Sequence, residues 1–293
     1  MEQLIRPLRN ERRHYRRLCI FGTHVGMSAT LQFRHGNDAN YSLIFATCFS
    51  IVAQNVCRII ITRLIMSNPA FARCAPFVVY MVFIGIEQAL RYLGGKGVIP
   101  VSESSLLYLY PVKVMVVAAL LLFCLRRCDE LSFRDLRNLP VTAASIVAGL
   151  VVFILWINMD WTFGSGGPPP GYDPYLVQGA GGRTALIAFR IAGASLVVPL
   201  MEELFWRSFL LRYLINNEFI SVPVGAFTWG SFAAVAVLFG LEHHFIVAGV
   251  MAGVAYNLLA VYTRSIAQCV LSHAVTNLVL GIYVLTTGRW QFW

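Results

Sequence analysis

The chain has 293 residues, of which 58% are hydrophobic and only 13% charged, with a mean hydropathy of +0.67. That balance excludes an ordinary soluble domain, in which about a quarter of residues are charged, and it describes an all-α polytopic membrane protein of about seven to eight spans. The net charge of +9 does not mark a nucleic-acid binder, because the excess arginines lie in loops and in the N-terminal segment rather than along one amphipathic face.

The first 65 residues differ in composition from the rest. Met1–Asp38 carries Arg6, Arg9, Arg12, Arg13, Arg16 and Arg17 without the charged, apolar, small-residue order of a signal peptide, and is expected to be a cytoplasmic tail. The run Tyr41–Ile65 is apolar but interrupted by Gln54, Asn55, Arg58 and Arg63, so it is a marginal span. Met66-Ser67-Asn68-Pro69 leads directly into the first strong span, which makes Met66 a candidate start of translation. Mass spectrometry of the mature N-terminus would test this, and peptides from before Met66 would exclude it.

Runs long enough for a hydrocarbon core of ~30 Å follow at Ala75–Tyr92, Leu106–Leu125, Val141–Ile157, Thr184–Met201, Val224–Leu241, Phe245–Tyr262 and Ile266–Thr286. Residues 66–183 are read as accessory membrane helices and a loop, and 184–293 as a helical core. Arg126, Arg127, Arg134 and Arg137 cluster between the second and third strong runs, which places that loop in the cytoplasm. Counting alternately, Asn158–Arg183 lies outside and the chain near Arg207 and Arg212 lies inside. The external loop holds Gly164-Ser165-Gly166-Gly167-Pro168-Pro169-Pro170-Gly171, which neither helix nor central strand accommodates. The seven cysteines form no CxxC pair and read as small core residues.

Three polar elements interrupt the apolar runs. In Met201-Glu202-Glu203-Leu204-Phe205-Trp206-Arg207, Glu203 and Arg207 are four apart and share a helix face, while Glu202 points roughly 100° away. Charge at bilayer depth costs on the order of 3 kcal/mol and is kept where it pairs, lines a cavity or does chemistry. An ion pair at the end of a span accounts for Glu203 and Arg207 but leaves Glu202 without a partner. Pro199 is expected to bend the helix where the carboxylates project. The second element is Phe239-Gly240-Leu241-Glu242-His243-His244, and the third is His273 with Asn277, four apart on one face of the last span. Each alone also fits a structural role, a histidine among headgroups or polar glue between helices worth ~0.6 kcal/mol.

Together they exceed what packing requires. A glutamate and a histidine can activate water while a histidine and an asparagine hold an oxyanion. Alternatively, Glu202, His243 and His273 can ligate Zn with a fourth position left for water. No HExxH, GxSxG or GxGD motif is present.

The ordered set Glu202-Glu203-x-x-x-Arg207, Phe239-x-x-x-His243 and His273-x-x-x-Asn277 resembles the CPBP family, the CAAX protease and bacteriocin-processing proteins also called type II CAAX prenyl endopeptidases. The resemblance covers roughly Thr184–Gly288. It implies an intramembrane endopeptidase of the plasma (inner) membrane whose site faces the cytoplasm. Carried over to this chain, Glu202 is the general base with His243, Glu203 is held by Arg207, and His273 with Asn277 stabilises the oxyanion. Phe239 supports the site, and His244 is the bystander. The implied partners are the bilayer and a protein or peptide with a membrane-associated or lipidated tail. The sequence also looks like the bacterial subset found beside exosortase protein-sorting systems.

Two further classes compete with the protease: a binding, scaffold or immunity protein that keeps the cavity without hydrolysis, and a transporter, which the lack of an inverted repeat disfavours. Convergence of the three elements requires the turn after Gly240 to sit within the membrane, around a polar cavity, since broken backbone is tolerated only there.

Overall fold

A computed structural model describes residues 68–161 and 171–293. Every described residue belongs to one compact unit, Cys57–Trp293. The basic tail, the marginal span, the Met66 start and the Gly164–Pro170 stretch lie outside the described residues.

Among the described residues the fold is all-helical. Six helices are long and apolar enough to cross a membrane: α1 (Pro69–Gly95), α2 (Glu103–Arg127), α3 (Leu139–Ile157), α4 (Ala180–Tyr213), α6 (Ile246–Thr263) and α7 (Ile266–Thr287). Between α4 and α6 lies the shorter α5 (Trp229–Leu241). Large apolar side chains such as Leu122, Leu139, Ile154 and Ile282 are exposed on the outer faces of these helices, where a bilayer covers them. This is an integral, multi-pass membrane protein.

Local chemistry sets the helix ends. Asn68 caps α1 by accepting a hydrogen bond from the Ala70 N–H, with Pro69 in the first turn. Thr228 and Ser265 cap α5 and α7 in the same way.

Polar ties define the two ends of the bundle. At one end the buried Arg73 of α1 donates to Glu130, 2.6 Å away, and Arg212 of α4 lies 3.7 Å from the same carboxylate. Ser208 of α4 also donates to Glu130. Ser265 and Gln268 of α7 bond to Asp135 at this end, at 2.5 and 3.0 Å. At the opposite end the Tyr172 hydroxyl donates to the Leu107 carbonyl, the Tyr172 N–H donates to the Trp293 carbonyl, and Arg289 pairs with Asp160 at 2.9 Å.

Small residues bring the helices into close contact. A Cβ on Gly149 of α3 would lie 2.3 Å from the Ser272 carbonyl oxygen of α7, and one on Gly253 of α6 would lie 2.9 Å from Ala236 of α5. Apolar helices in lipid gain nothing from the hydrophobic effect by pairing, so close backbone approach through glycine supplies the contact instead.

The helix α5 corrects the reading of Val224–Leu241 as a full span. Its 13 residues rise only about 20 Å, short of the ~30 Å hydrocarbon core. Pro223 and Gly225, the latter at φ +80° against the Ala260 carbonyl, keep the preceding residues in a turn.

Candidate active site

The site is built on an irregularity in α4. Two stretches of wider, π-type turns, Gly193–Val197 and Leu204–Leu210, flank the segment Val198–Glu203. In a π-type turn the donor for the Ala194 carbonyl would be residue 199, a proline with no N–H. The freed carbonyl instead accepts a hydrogen bond from Asn277 Nδ2 of α7, 2.9 Å away. Pro199 therefore does more than bend α4, because it creates the acceptor that orients a candidate site residue.

Glu203 and Arg207 pair at 3.1 Å, four residues apart, with both side chains fully buried. Arg207 also donates to Asn257 Oδ1 at 3.2 Å and to the Gly253 carbonyl at 3.4 Å. Its guanidinium lies between the rings of Phe239, 4.5 Å away, and Tyr256, 5.3 Å away. Asn257 is oriented in turn by donating to the Phe232 carbonyl at 3.0 Å. Aromatic faces and charge-assisted hydrogen bonds from three helices make this buried cation tolerable.

His273 joins the two glutamates. Its Nδ1 lies 2.9 Å from Glu203 Oε1, and its Nε2 lies 3.9 Å from Glu202 Oε2. The ring stacks on Tyr256 at 4.8 Å, and the Tyr256 hydroxyl donates to Thr276 at 2.8 Å. A carboxylate can only accept, so Nδ1 is the protonated nitrogen and Nε2 is the atom presented toward Glu202. The two carboxylates are thereby distinguished. Glu203 is engaged at Oε1 by an arginine and a histidine, while Glu202 has only the more distant His273 Nε2; the Oε2 of each is buried without a hydrogen-bond partner among the described residues.

His243 follows the end of α5, in the turn that leads into α6. Its Nδ1 lies 2.7 Å from the Phe239 carbonyl, an acceptor, so the hydrogen sits on Nδ1 and Nε2 keeps its lone pair. Trp156 of α3 and Phe239 hold the imidazole at ring distances of 5.2 and 4.9 Å. Phe239 thus contacts His243, His273 and Arg207, which places it at the centre of the three motifs. His244 is exposed.

Glu202, His243, His273 and Asn277 all line one cavity of about 740 Å³. Its other walls include Tyr80, Lys113, Tyr172, Arg190 and Trp293, so it runs from the glutamates toward the Tyr172 end of the bundle. The residues read from the sequence converge, Glu203 and Arg207 as the buried support behind Glu202. Sequence reading missed Asn257, Tyr256 and Thr276, which orient Arg207 and His273, and gave no role to Glu242, which also lines the cavity. Asn257 was detectable as a lone amide within the apolar run Phe245–Tyr262. Nothing in the sequence marks Tyr256 or Thr276, which are ordinary residues of apolar helices.

Among the described residues no three His, Cys, Asp or Glu side chains are gathered closely enough to hold a metal ion. Glu202, His243 and His273 do not form such a group in this structure.

The fold and the site define an all-helical membrane protein with a carboxylate-histidine cavity buried in its bundle. Residues 184–279 match the family model described as Type II CAAX prenyl endopeptidase Rce1-like. The matched segment contains all seven residues of the three motifs and is an Rce1-like domain of this chain. No curated protein and no solved structure gives a significant match.

Proposed function

We propose that the chain is an intramembrane endopeptidase that hydrolyses a peptide bond in a membrane-associated protein or lipidated peptide by means of water activated at Glu202. The observation that carries this reading is the unlike treatment of two adjacent carboxylates. Glu203 is engaged at Oε1 by Arg207 and His273, whereas Glu202 has no arginine partner and lies 3.9 Å from His273 Nε2 in the cavity. A carboxylate without an arginine partner beside one that has it is the arrangement general-base chemistry needs.

In the proposed reaction Glu202 takes a proton from water with the help of His243 Nε2, and the water oxygen attacks the scissile carbonyl carbon. Asn277 Nδ2–H donates to the oxyanion, and His273 does so from Nε2–H in the form that carries a proton on both ring nitrogens. Collapse of the tetrahedral intermediate breaks the C–N bond, and the proton held at Glu202 leaves with the amine. Glu203 acts through His273, and Arg207 supplies its counter-charge at 3.1 Å.

The test is proteolysis of a library of membrane peptides by the purified chain in nanodiscs. Wild type is compared with Glu202→Ala and His243→Ala, each with and without a chelator. Cleavage that both substitutions abolish and that chelation leaves intact is the expected result. Cleavage lost on chelation would revive the metal reading, and equal peptide binding by all three proteins without cleavage would overturn the protease.

A further inference from the structure

A second, smaller cavity of about 360 Å³ lies at the arginine-rich end of the bundle, where α6 ends and α7 begins. Its walls carry charge of both signs that does not pair within the described residues. Arg134 and Arg264 line it without a carboxylate at ion-pair distance, and Asp135 lines it without a cation. Asp135 accepts at Oδ2 from the Ser265 hydroxyl, 2.5 Å away. Gln268, only 1% exposed, donates from its amide to the Asp135 carbonyl and to Thr142 Oγ1, both at 3.0 Å, and keeps a buried Oε1 that accepts from no donor among the described residues. Arg264 closes α6 at φ +53°, in the left-handed region that residues with a side chain seldom adopt. Gly225 leaves room for its stem, since a Cβ there would meet Arg264 Cγ at 3.0 Å.

The position is that of lipid headgroups. Phe133, Leu139 and Tyr262, each next in sequence to a residue that lines the cavity, are exposed, and exposed aromatic side chains at the ends of membrane-crossing helices sit at headgroup level. We infer that this cavity binds the headgroup of a phospholipid that carries both a phosphate and a primary ammonium, ethanolamine phospholipid being the simplest. The two guanidiniums meet the phosphate, whose oxygens suit their planar fork. Asp135 and Gln268 Oε1 accept from the ammonium N–H groups. A choline headgroup has the same charges but no N–H, and a glycerol headgroup has the phosphate alone, so three common lipids separate the two halves of the site. Bound there, the lipid ties α6 to α7, the helix that carries His273 and Asn277. None of the residues that line this cavity takes part in the proposed hydrolysis.

The probe is an equimolar mixture of phosphatidylethanolamine, phosphatidylcholine and phosphatidylglycerol with matched acyl chains. It is offered to the full chain in detergent, and the retained lipid is read by native mass spectrometry. Charge-assisted hydrogen bonds that ethanolamine makes and choline cannot predict a roughly tenfold preference for the ethanolamine lipid. Arg134→Gln combined with Arg264→Gln is expected to lower retention of all three lipids. Asp135→Asn keeps an oxygen for Ser265 and is expected to bring the ethanolamine lipid down to the choline level. Unchanged retention of the other two lipids by that variant shows that it is folded. Arg126→Gln, exposed at the same end but outside the cavity, is expected to change nothing.

Equal retention of ethanolamine and choline lipid, an ethanolamine preference that survives Asp135→Asn, or retention indifferent to the two arginines would overturn the site. Preference for phosphatidylglycerol that is lost with the arginines would leave a plain anion site and overturn the zwitterion. Soluble glycerophosphoethanolamine presents the same two charged groups, and its displacing the ethanolamine lipid at equal concentration would reassign the cavity to a free phosphodiester and overturn the lipid.

Discussion

Glu202 and Glu203 are identical in chemistry and adjacent in sequence, and their surroundings make them do different work. Replacing Glu202 with Gln removes a carboxylate whose free oxygen makes no hydrogen bond among the described residues, so hydrolysis is expected to vanish while the thermal transition of the protein in detergent stays within a few degrees of wild type. Replacing Glu203 with Gln strips a fully buried arginine of its counter-charge, and breaking a buried pair from one side costs about 3–5 kcal/mol. That variant is expected to lose stability as well as activity. A Glu202→Gln protein that unfolds early, or a Glu203→Gln protein of wild-type stability, would show that the roles are misassigned. The i, i+4 spacing announced the Glu203–Arg207 pair, because helix geometry alone fixes which side chains are neighbours. The contact between His273 and Glu203 was not legible, since seventy residues separate them and only packing of α7 against α4 joins them.

At the scale of the helices, glycine and one loop carboxylate set how the elements meet. Gly149 lets α3 press on the backbone of α7, and an added side chain would meet the Ser272 carbonyl rather than a movable group. Gly149→Val is therefore expected to cost about 1–3 kcal/mol or more and to displace His273 and Asn277. Gly230→Ala, with nothing within 4 Å, is the neutral control, and denaturation in mixed micelles compares them. Glu130 ties α1 to α4. Burial pushes its carboxyl up, but hydrogen bonds from Arg73 and Ser208 and the charge of Arg73 outweigh this and hold it below its ordinary value. A depressed carboxyl contributes stability that is fully present above its unfolded value, about pH 4.3, and is lost as pH falls through the folded value. Melting temperatures are expected to fall on acidification in that window, and Glu130→Gln to be less stable at neutral pH with the acid dependence flattened. Unchanged acid sensitivity in Glu130→Gln would remove Glu130 as its source. The apolar runs marked six of the candidate spans, because crossing lipid demands length and hydrophobicity that composition displays directly. The shortness of α5 was not legible in the run Val224–Leu241, because the residues before Trp229 are as apolar as a helix requires and leave the helical path only through Pro223 and Gly225.

For the molecule as a whole, charge and cavity bear on sidedness. The cavity runs toward Tyr172 and Trp293, whereas the exposed Arg126, Arg127, Arg134, Arg137 and Arg264 lie at the Glu130 end. The positive-inside rule puts that arginine-rich end in the cytoplasm, so the cavity is expected to open on the opposite side, in conflict with the cytoplasmic site implied by the resemblance. The two expectations were made from different residues and meet only once the cavity has a direction. Asp173→Cys and Lys96→Cys are predicted to react with a membrane-impermeant maleimide on intact cells, and Arg134→Cys only after permeabilisation. The reverse pattern would restore the cytoplasmic opening.

The sequence by itself determined the solvent and the chemistry of this protein. Lipid selects for apolar runs of a set length, and charge survives inside them only with a reason, so both the bundle and the motif residues were written in composition and local spacing. Only the tertiary structure decided which glutamate is free, what orients each histidine, and where the cavity leads. Those depend on contacts between helices far apart in the chain, made where a proline frees a carbonyl, glycines let backbones meet, and a short helix stops at the depth of the site.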